Sequence, residues 1–165
     1  MDFWYVIQTK PKKEEEASSY LALKGLEIFN PLLETFIERN GRMNRTLKPL
    51  FPNYIFGKFD LMEKYALVKW GRGVKKILGF EGFPSPIAEE VVFQIKDRTD
   101  SNGIVKKKKG FAPKDPVRIT SGPLRDLTGI FEEWVPEKER VRILLNLIGY
   151  QPRIDIHYSL VEKIN

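Results

Sequence analysis

Residues 99–111, Thr-Asp-Ser-Asn-Gly-Ile-Val-Lys-Lys-Lys-Lys-Gly-Phe, hold an Asn-Gly pair, four consecutive lysines and a further glycine, with no apolar periodicity. Such a stretch reads as a solvated linker. It limits what the chain can build, because it divides 165 residues into one long and one short segment. A domain of about 50 residues can still fold alone. Two domains are therefore expected, 1–100 and 112–165, joined by a linker over 101–111. An apolar content of 42%, with 12% aromatic residues, is enough for packed cores.

The first segment interleaves strands and helices. Phe3 to Thr9 is β-branched and aromatic and predicts a strand. Pro11 suits a first helical turn, Glu14, Glu15 and Glu16 suit the positive helix start, and Ala17, Tyr20, Leu21 and Lys24 mark one helical face before Gly25. Leu32–Arg39 and Met43–Leu50 flank Asn40-Gly41, a pair suited to the positive φ angles of a tight hairpin. Asn53 to Asp60 alternates, which places Tyr54, Phe56 and Lys58 on one face and Ile55, Gly57 and Phe59 on the other. Leu61 to Trp70 has Met62, Tyr65, Ala66 and Lys69 at helical spacing, stopped by Gly71-Arg72-Gly73. A short strand over Val74–Leu78 and a helix over Ile87–Arg98, with Ile87, Val91, Val92 and Ile95 as its buried stripe, complete an α+β layer.

After the linker come short apolar runs, 117–120, 128–134, 141–148, 154–158 and 160–164, separated by Gly and Pro. That pattern predicts a small β-barrel.

The absence of cysteine excludes disulfides, thiol nucleophiles, Cys-ligated zinc and iron–sulfur clusters, and one histidine leaves little for metal chemistry. No P-loop, HExxH helix or nucleophile elbow occurs, and Gly71-x-Gly73 lacks the third glycine and strand context of a dinucleotide site. His157 lies in an alternating strand with no catalytic partner in the pattern. A binding protein with no cofactor, no metal and no enzymatic activity is expected. No apolar run of about 20 residues and no basic-then-apolar leader is present, which predicts a soluble cytoplasmic protein off the membrane. The Asn44-Arg45-Thr46 sequon is then a chance match.

The net charge of +6 is unevenly spread. Residues 39–76 hold ten basic residues against Asp60 and Glu63, while 112–165 hold eight of each sign. The first is a candidate polyanion-facing surface or a solvated basic face. Lys106–Lys109 could also serve as a nuclear-localisation patch or a nucleic-acid backbone contact.

Several motifs run in order along nearly the whole chain. They are Trp4-Tyr5-Val6, then Pro49-Leu50-Phe51-Pro52-Asn53-Tyr54-Ile55-Phe56, then Gly73-Val74 through Leu78-Gly79-Phe80 and Pro84-x-Pro86-Ile87. Together they resemble the N-terminal domain of NusG-type transcription elongation factors, and the Phe-Pro-Asn-Tyr form is most similar to the specialised RfaH-type paralogues. Asp115-x-Val117-Arg118-Ile119-Thr120-Ser121-Gly122-Pro123-Leu124-x-x-Leu127-x-Gly129 is similar to a KOW motif, the opening hairpin of an SH3-like barrel. The resemblance implies an α/β sandwich followed by a KOW barrel.

It also implies partners. In that family the N-terminal domain seats the RNA polymerase clamp coiled coil in an aromatic pocket and reduces pausing, which points to Phe51, Pro52, Tyr54, Phe56 and Phe80. Partly exposed aromatics on one strand face bury large area at low entropy cost. Contact with the non-template DNA strand points to Lys10, Lys12, Lys13 and Tyr20 on the first helix, Arg72 at the Gly71-Arg72-Gly73 turn, and Arg42 and Arg45 on the hairpin. Lysines at a helix start oppose the dipole, so a phosphate partner gives a reason to tolerate them, and Tyr20 either stacks on an unpaired base or joins the helix core stripe. The KOW barrel would bind ribosomal protein S-ten or the terminator Rho along Val141–Ile148, with Ile148 as the exposed contact.

Some RfaH-type members fold this domain as a helical hairpin over the clamp pocket. Gly122 and Pro123 would fall inside the first such helix, where a proline costs about 3 kcal/mol, so the barrel is expected. The reading is a monomeric elongation or antitermination factor that suppresses pausing or termination. The alternative is a KOW-containing ribosomal or RNA-binding protein.

Overall fold

The computed structural model describes residues 1–106, 110–135 and 139–164, and divides into two compact units. One comprises Met1–Thr35 with Arg45–Lys106, the other Phe36–Asn44 with Lys107–Asn165.

In the first unit, β1 (Phe3–Thr9) is central because both of its faces carry apolar side chains, Tyr5 and Ile7 on one and Trp4 and Val6 on the other. It pairs antiparallel with β5 (Tyr54–Phe59), with Ile7 opposite Ile55 and Val6 opposite Phe56, and with β6 (Val74–Ile77) on its other side. β2 (Glu27–Phe29) adds to β5, giving the order β2-β5-β1-β6. Tyr5, Ile7, Ile55, Phe59 and Ile77 turn to one side and form a core with Ala17 and Leu21 of α1 (Glu14–Leu23) and Val68 of α2 (Leu61–Lys69). Trp4, Phe29 and Phe56 turn to the other, where Val92 of α3 (Glu89–Lys96) covers them. Two ion pairs latch α3 there, Lys58–Glu89 at 2.8 Å and Lys96–Glu27 at 3.2 Å.

Local chemistry sets the boundaries. The Asp60 carboxylate accepts the Met62 and Glu63 amides and starts α2. Pro11 is not in the first turn of α1. The Lys10 amide donates to Gly73 O at 2.8 Å, the chain reverses through Lys12 at φ 59°, and the helix begins only at Glu14. Nor does α3 begin at Ile87, whose amide is taken by Trp4 O at 2.8 Å. In α2 the packed residues are Leu61, Leu67 and Val68, so Met62 and Tyr65 face solvent.

The hairpin of β3 (Leu32–Arg39) and β4 (Arg42–Pro49) turns through Asn40 and Gly41, both at positive φ as its sequence predicts. Part of the segment read as linker is structured. β9 (Ile104–Val105) pairs parallel with β3, Ile104 is buried, and the Asp100 carboxylate receives the amides of Ile104 and Asn102, which hold it below the usual carboxylate range. Of the lysine run, Lys107–Lys109 lie outside the described residues. Between β6 and α3, β7 (Gly79–Phe80) and β8 (Phe83–Pro84) form a small hairpin that the sequence reading lacks.

The second unit is the expected KOW-like β domain. β10 (Pro116–Ile119), β11 (Thr128–Val135), β12 (Arg140–Leu145), β13 (Arg153–His157) and β14 (Val161–Lys163) form one antiparallel sheet in the order β13-β12-β11-β10-β14. It wraps a core of Val117, Ile119, Phe131, Val141, Ile143 and Leu145. Pro123 sits in the β10–β11 loop, where its missing amide costs nothing. Among the described residues no helix is long and apolar enough to cross a membrane.

Leu21 is fully buried between α1 and the sheet. Leu21→Ala should destabilise the first unit by about 2–5 kcal/mol, read from a thermal or denaturant melt of the chain.

Candidate functional site

The segment Phe51-Pro52-Asn53-Tyr54 enters β5 through a turn closed by Tyr54 N to Phe51 O at 3.0 Å. Asn53 adopts φ 71°, a left-handed conformation that asparagine tolerates. Two outside contacts fix it. Thr9 N donates to Asn53 O at 2.8 Å, and Asn53 N donates to the buried Glu14 carboxylate at 2.8 Å. Glu14 thus does more than favour its helix dipole: it ties the start of α1 to the aromatic turn, a role hidden in a run of three glutamates.

Tyr54 and Phe56 share a face, as their alternation predicts, but they are not equivalent. Phe56 is 6% exposed, with its ring 5.6 Å from Phe51 and 6.0 Å from Phe29. It belongs to the core under α3 rather than to an exposed pocket wall, because α3 folds across the strand at that point. Phe51 and Tyr54 remain half-exposed and Pro52 exposed above it.

Phe80 stands one strand away. Leu78 N donates to Val6 O at 2.9 Å, so the chain leaves the sheet beside β1 and not beside β5. On the β7–β8 hairpin Phe80 faces its register partner Phe83, and the two rings are 73% and 76% exposed. Phe83 is a candidate that sequence reasoning missed. Its only signal was a second aromatic three residues after Phe80.

A basic edge forms where the β1–α1 turn meets the α2–β6 turn. A Cβ on Gly73 would lie 3.2 Å from Lys13 Cβ, and Glu16 pairs with Lys13 at 3.2 Å and Arg72 at 4.0 Å. Lys10, Lys12, Lys13 and Arg72 are exposed there. Tyr20 is half-buried against the helix-side core, with Lys24 Nζ 5.5 Å from its ring. Arg42 and Arg45 belong to the separate β3–β4 hairpin, where Arg45 is paired with Glu34 at 2.6 Å.

In the second unit Ile148 is not part of a strand. β12 ends at Leu145, and Ile148 is 106% exposed at the tip of a turn bridged by Leu147 and Tyr150, both also exposed. Gly149 at φ 69° permits that turn and ends the run of alternation that suggested a longer strand. Among the described residues no three His, Asp or Glu side chains converge as a metal site.

Glu14→Ala leaves the Asn53 amide without its acceptor. It should cost about 1–3 kcal/mol in a melt, and Glu14→Gln, which keeps a carbonyl acceptor, should recover most of it. A Cβ on Gly79 would sit 1.7 Å from Phe83 O. Gly79→Ala should therefore unfasten the β7–β8 hairpin while leaving the sheet intact, seen as loss of the Phe80 and Phe83 amide cross-peaks of the pair with β1 and β5 signals unmoved.

Residues 2–96 match the family model described as transcription termination factor NusG. The transcription termination/antitermination protein NusG of Thermus thermophilus is 28% identical over 182 residues, covering 97% of each chain. Its counterpart in Pseudomonas aeruginosa is 29% identical over 176 residues, covering 98% of each. The solved MjSpt4:Spt5 complex in conformation A superposes over 98% of this chain and 97% of that one, with a TM-score of 0.55 and 14% identity, and so shares the fold. These matches support neither the RfaH-type specialisation nor the ribosomal alternative. The chain belongs to the NusG family, whose relatives are transcription termination and antitermination factors.

Proposed function

We propose that this protein rides on RNA polymerase as an elongation and antitermination factor in the cytoplasm. Its first unit takes the clamp coiled coil on the half-exposed Phe51, Pro52 and Tyr54, with Phe80 as a second contact and Phe56 as the buried floor. The observation that carries this reading is the pinned turn at 51–54, which presents two aromatics at the open end of a face otherwise closed by α3. Rings fixed before binding lose little entropy on docking. Lys10, Lys12, Lys13 and Arg72 would neutralise phosphates of the non-template strand, with Tyr20, Arg42 and Arg45 as outer contacts.

The KOW unit would recruit ribosomal protein S-ten or Rho through the turn of Ile148. Its eight basic and eight acidic residues suit a protein partner better than a phosphate backbone. The narrower RfaH-type role rests on the Phe-Pro-Asn-Tyr motif alone.

The test is binding of the full chain to a reconstituted RNA polymerase elongation complex by gel supershift. Tyr54→Ala should weaken binding by about 1–3 kcal/mol without lowering the melting temperature. Phe56→Ala should lower stability as well, by about 3–5 kcal/mol, because it empties core. An unchanged shift for a folded Tyr54→Ala, Phe80→Ala double variant would remove the clamp assignment.

A further inference from the structure

The turn of residues 51–54 has a second flank. There Pro52 and Asn53 border a cleft of about 630 Å³ in the first unit, whose other walls are the β1–α1 turn, Asn30 between β2 and β3, and the end of β4. Neither Phe51 nor Tyr54 lines it. A space of that size suits a bound segment or ligand. Pro11, Leu32, Leu47, Pro49 and Pro52 make its surface mainly apolar, and Leu47 is 40% exposed although it is aliphatic. The three prolines have no amide to offer, so the wall is poor in donors. Acceptors are in surplus. The Asn30 side-chain oxygen is shut from solvent with no hydrogen-bond partner among the described residues, and Glu15 adds an exposed carboxylate. A buried acceptor without a donor is costly, so a donor brought by a partner would be favoured there.

The cleft adjoins an open strand edge. β4 has β3 on one side and no strand on the other among the described residues, so one edge of its backbone is unpaired. From Arg45 to Pro49 the strand carries bases and no acid: Arg45, engaged by Glu34, and Lys48, exposed at the mouth of the cleft. An open edge beside a side-chain pocket is the arrangement that takes an extended peptide, the backbone supplying affinity and the pocket selecting one side chain. A nucleic acid fits less well. No aromatic ring lines the cleft to stack a base, and Glu14 and Glu15 on its α1 side repel phosphates.

We propose that the edge of β4 adds a strand from a partner protein, an extended segment whose Leu or Val fills the cleft and whose adjacent Asp or Glu meets Lys48. Its amides supply the donors that Asn30 and Glu15 lack. This surface is additional to the polymerase contact proposed above, because its anchor is aliphatic and none of the aromatic rings takes part.

The acetylated and amidated peptide Thr-Val-Asp-Leu-Val-Thr is titrated into the full chain and followed by amide and methyl NMR. The Leu32 and Leu47 methyls should shift, and amides within Arg45–Lys48 should slow their exchange with deuterated water. Replacing the peptide's Leu by Ala should weaken binding about 10- to 100-fold. Leu47→Glu should weaken it at least as far with an unchanged melting curve, because the side chain stands partly in solvent. Lys48→Glu should reverse the preference between this peptide and a twin carrying Lys in place of Asp. Both variants should still supershift the RNA polymerase elongation complex, so this proposal and the clamp reading fail separately. Unmoved Leu32 and Leu47 methyls at millimolar peptide overturn the site, and methyl shifts without slowed amide exchange overturn the added strand. Equal binding of the Lys twin overturns the acidic partner. Displacement of the peptide by an oligothymidylate, or self-association of the chain that Leu47→Glu abolishes, overturns the assignment to a partner protein. A supershift lost in Leu47→Glu would make the cleft part of the polymerase contact and overturn its independence.

Discussion

Everything the first unit presents hangs on the register of β1 against β5. With Ile7 opposite Ile55 and Val6 opposite Phe56, one set of side chains meets α1 and α2 and the other meets α3. A slip of one residue would send each set to the wrong helices, and because both faces are apolar the hydrophobic pattern alone would not resist it strongly. The turn supplies the missing discrimination. Thr9 N to Asn53 O and Asn53 N to Glu14 lock the end of the pair, so the contacts that hold out the aromatic turn also choose the register. Stability and presentation share the same bonds.

What could be read from the sequence followed from local rules. Asn40-Gly41 made its turn, the alternation at 54–59 made its strand, and Gly and Pro marked the second unit into short strands around one core. Errors came where distant parts decide. Phe56 and Tyr54 look alike in the alternation, and only the docking of α3 separates a core ring from a surface ring. Ile87 fits a helical stripe, but the free carbonyl of Trp4 takes its amide. Ile104-Val105 has no periodicity to read in two residues, and becomes a strand because β3 lies alongside it. Of the candidate basic residues, the fold brought Lys10, Lys13 and Arg72 to one edge through a bond to Gly73 that no spacing announces, while Arg45 is engaged by Glu34.

The two units treat charge differently. On the outer face of the KOW-like sheet, Arg142 lies between Glu133 at 2.6 Å and Asp155 at 2.8 Å, which drive its already high pKa upward, and Arg153 meets Glu132 at 2.7 Å. Cross-strand pairing of this kind makes a neutral skin over an apolar core. The edge of the first unit gathers Lys10, Lys12, Lys13 and Arg72 at its turns, with Glu16 paired to two of them, and keeps a net field that reaches about 8 Å in physiological salt. One unit attracts at a distance and the other must be met by contact.

The hairpin of Phe80 and Phe83 is held by two register pairs, Gly79 with Pro84 and Phe80 with Phe83, whereas β1 and β5 share six. Pro84 has no amide to give, so the ladder is thinner still. Local openings draw on such short ladders first. In deuterated water the amides around Phe80 would exchange by opening the hairpin alone, while those of Ile7 and Ile55 would wait for the whole unit to unfold, so two strongly exposed rings sit on backbone that opens readily.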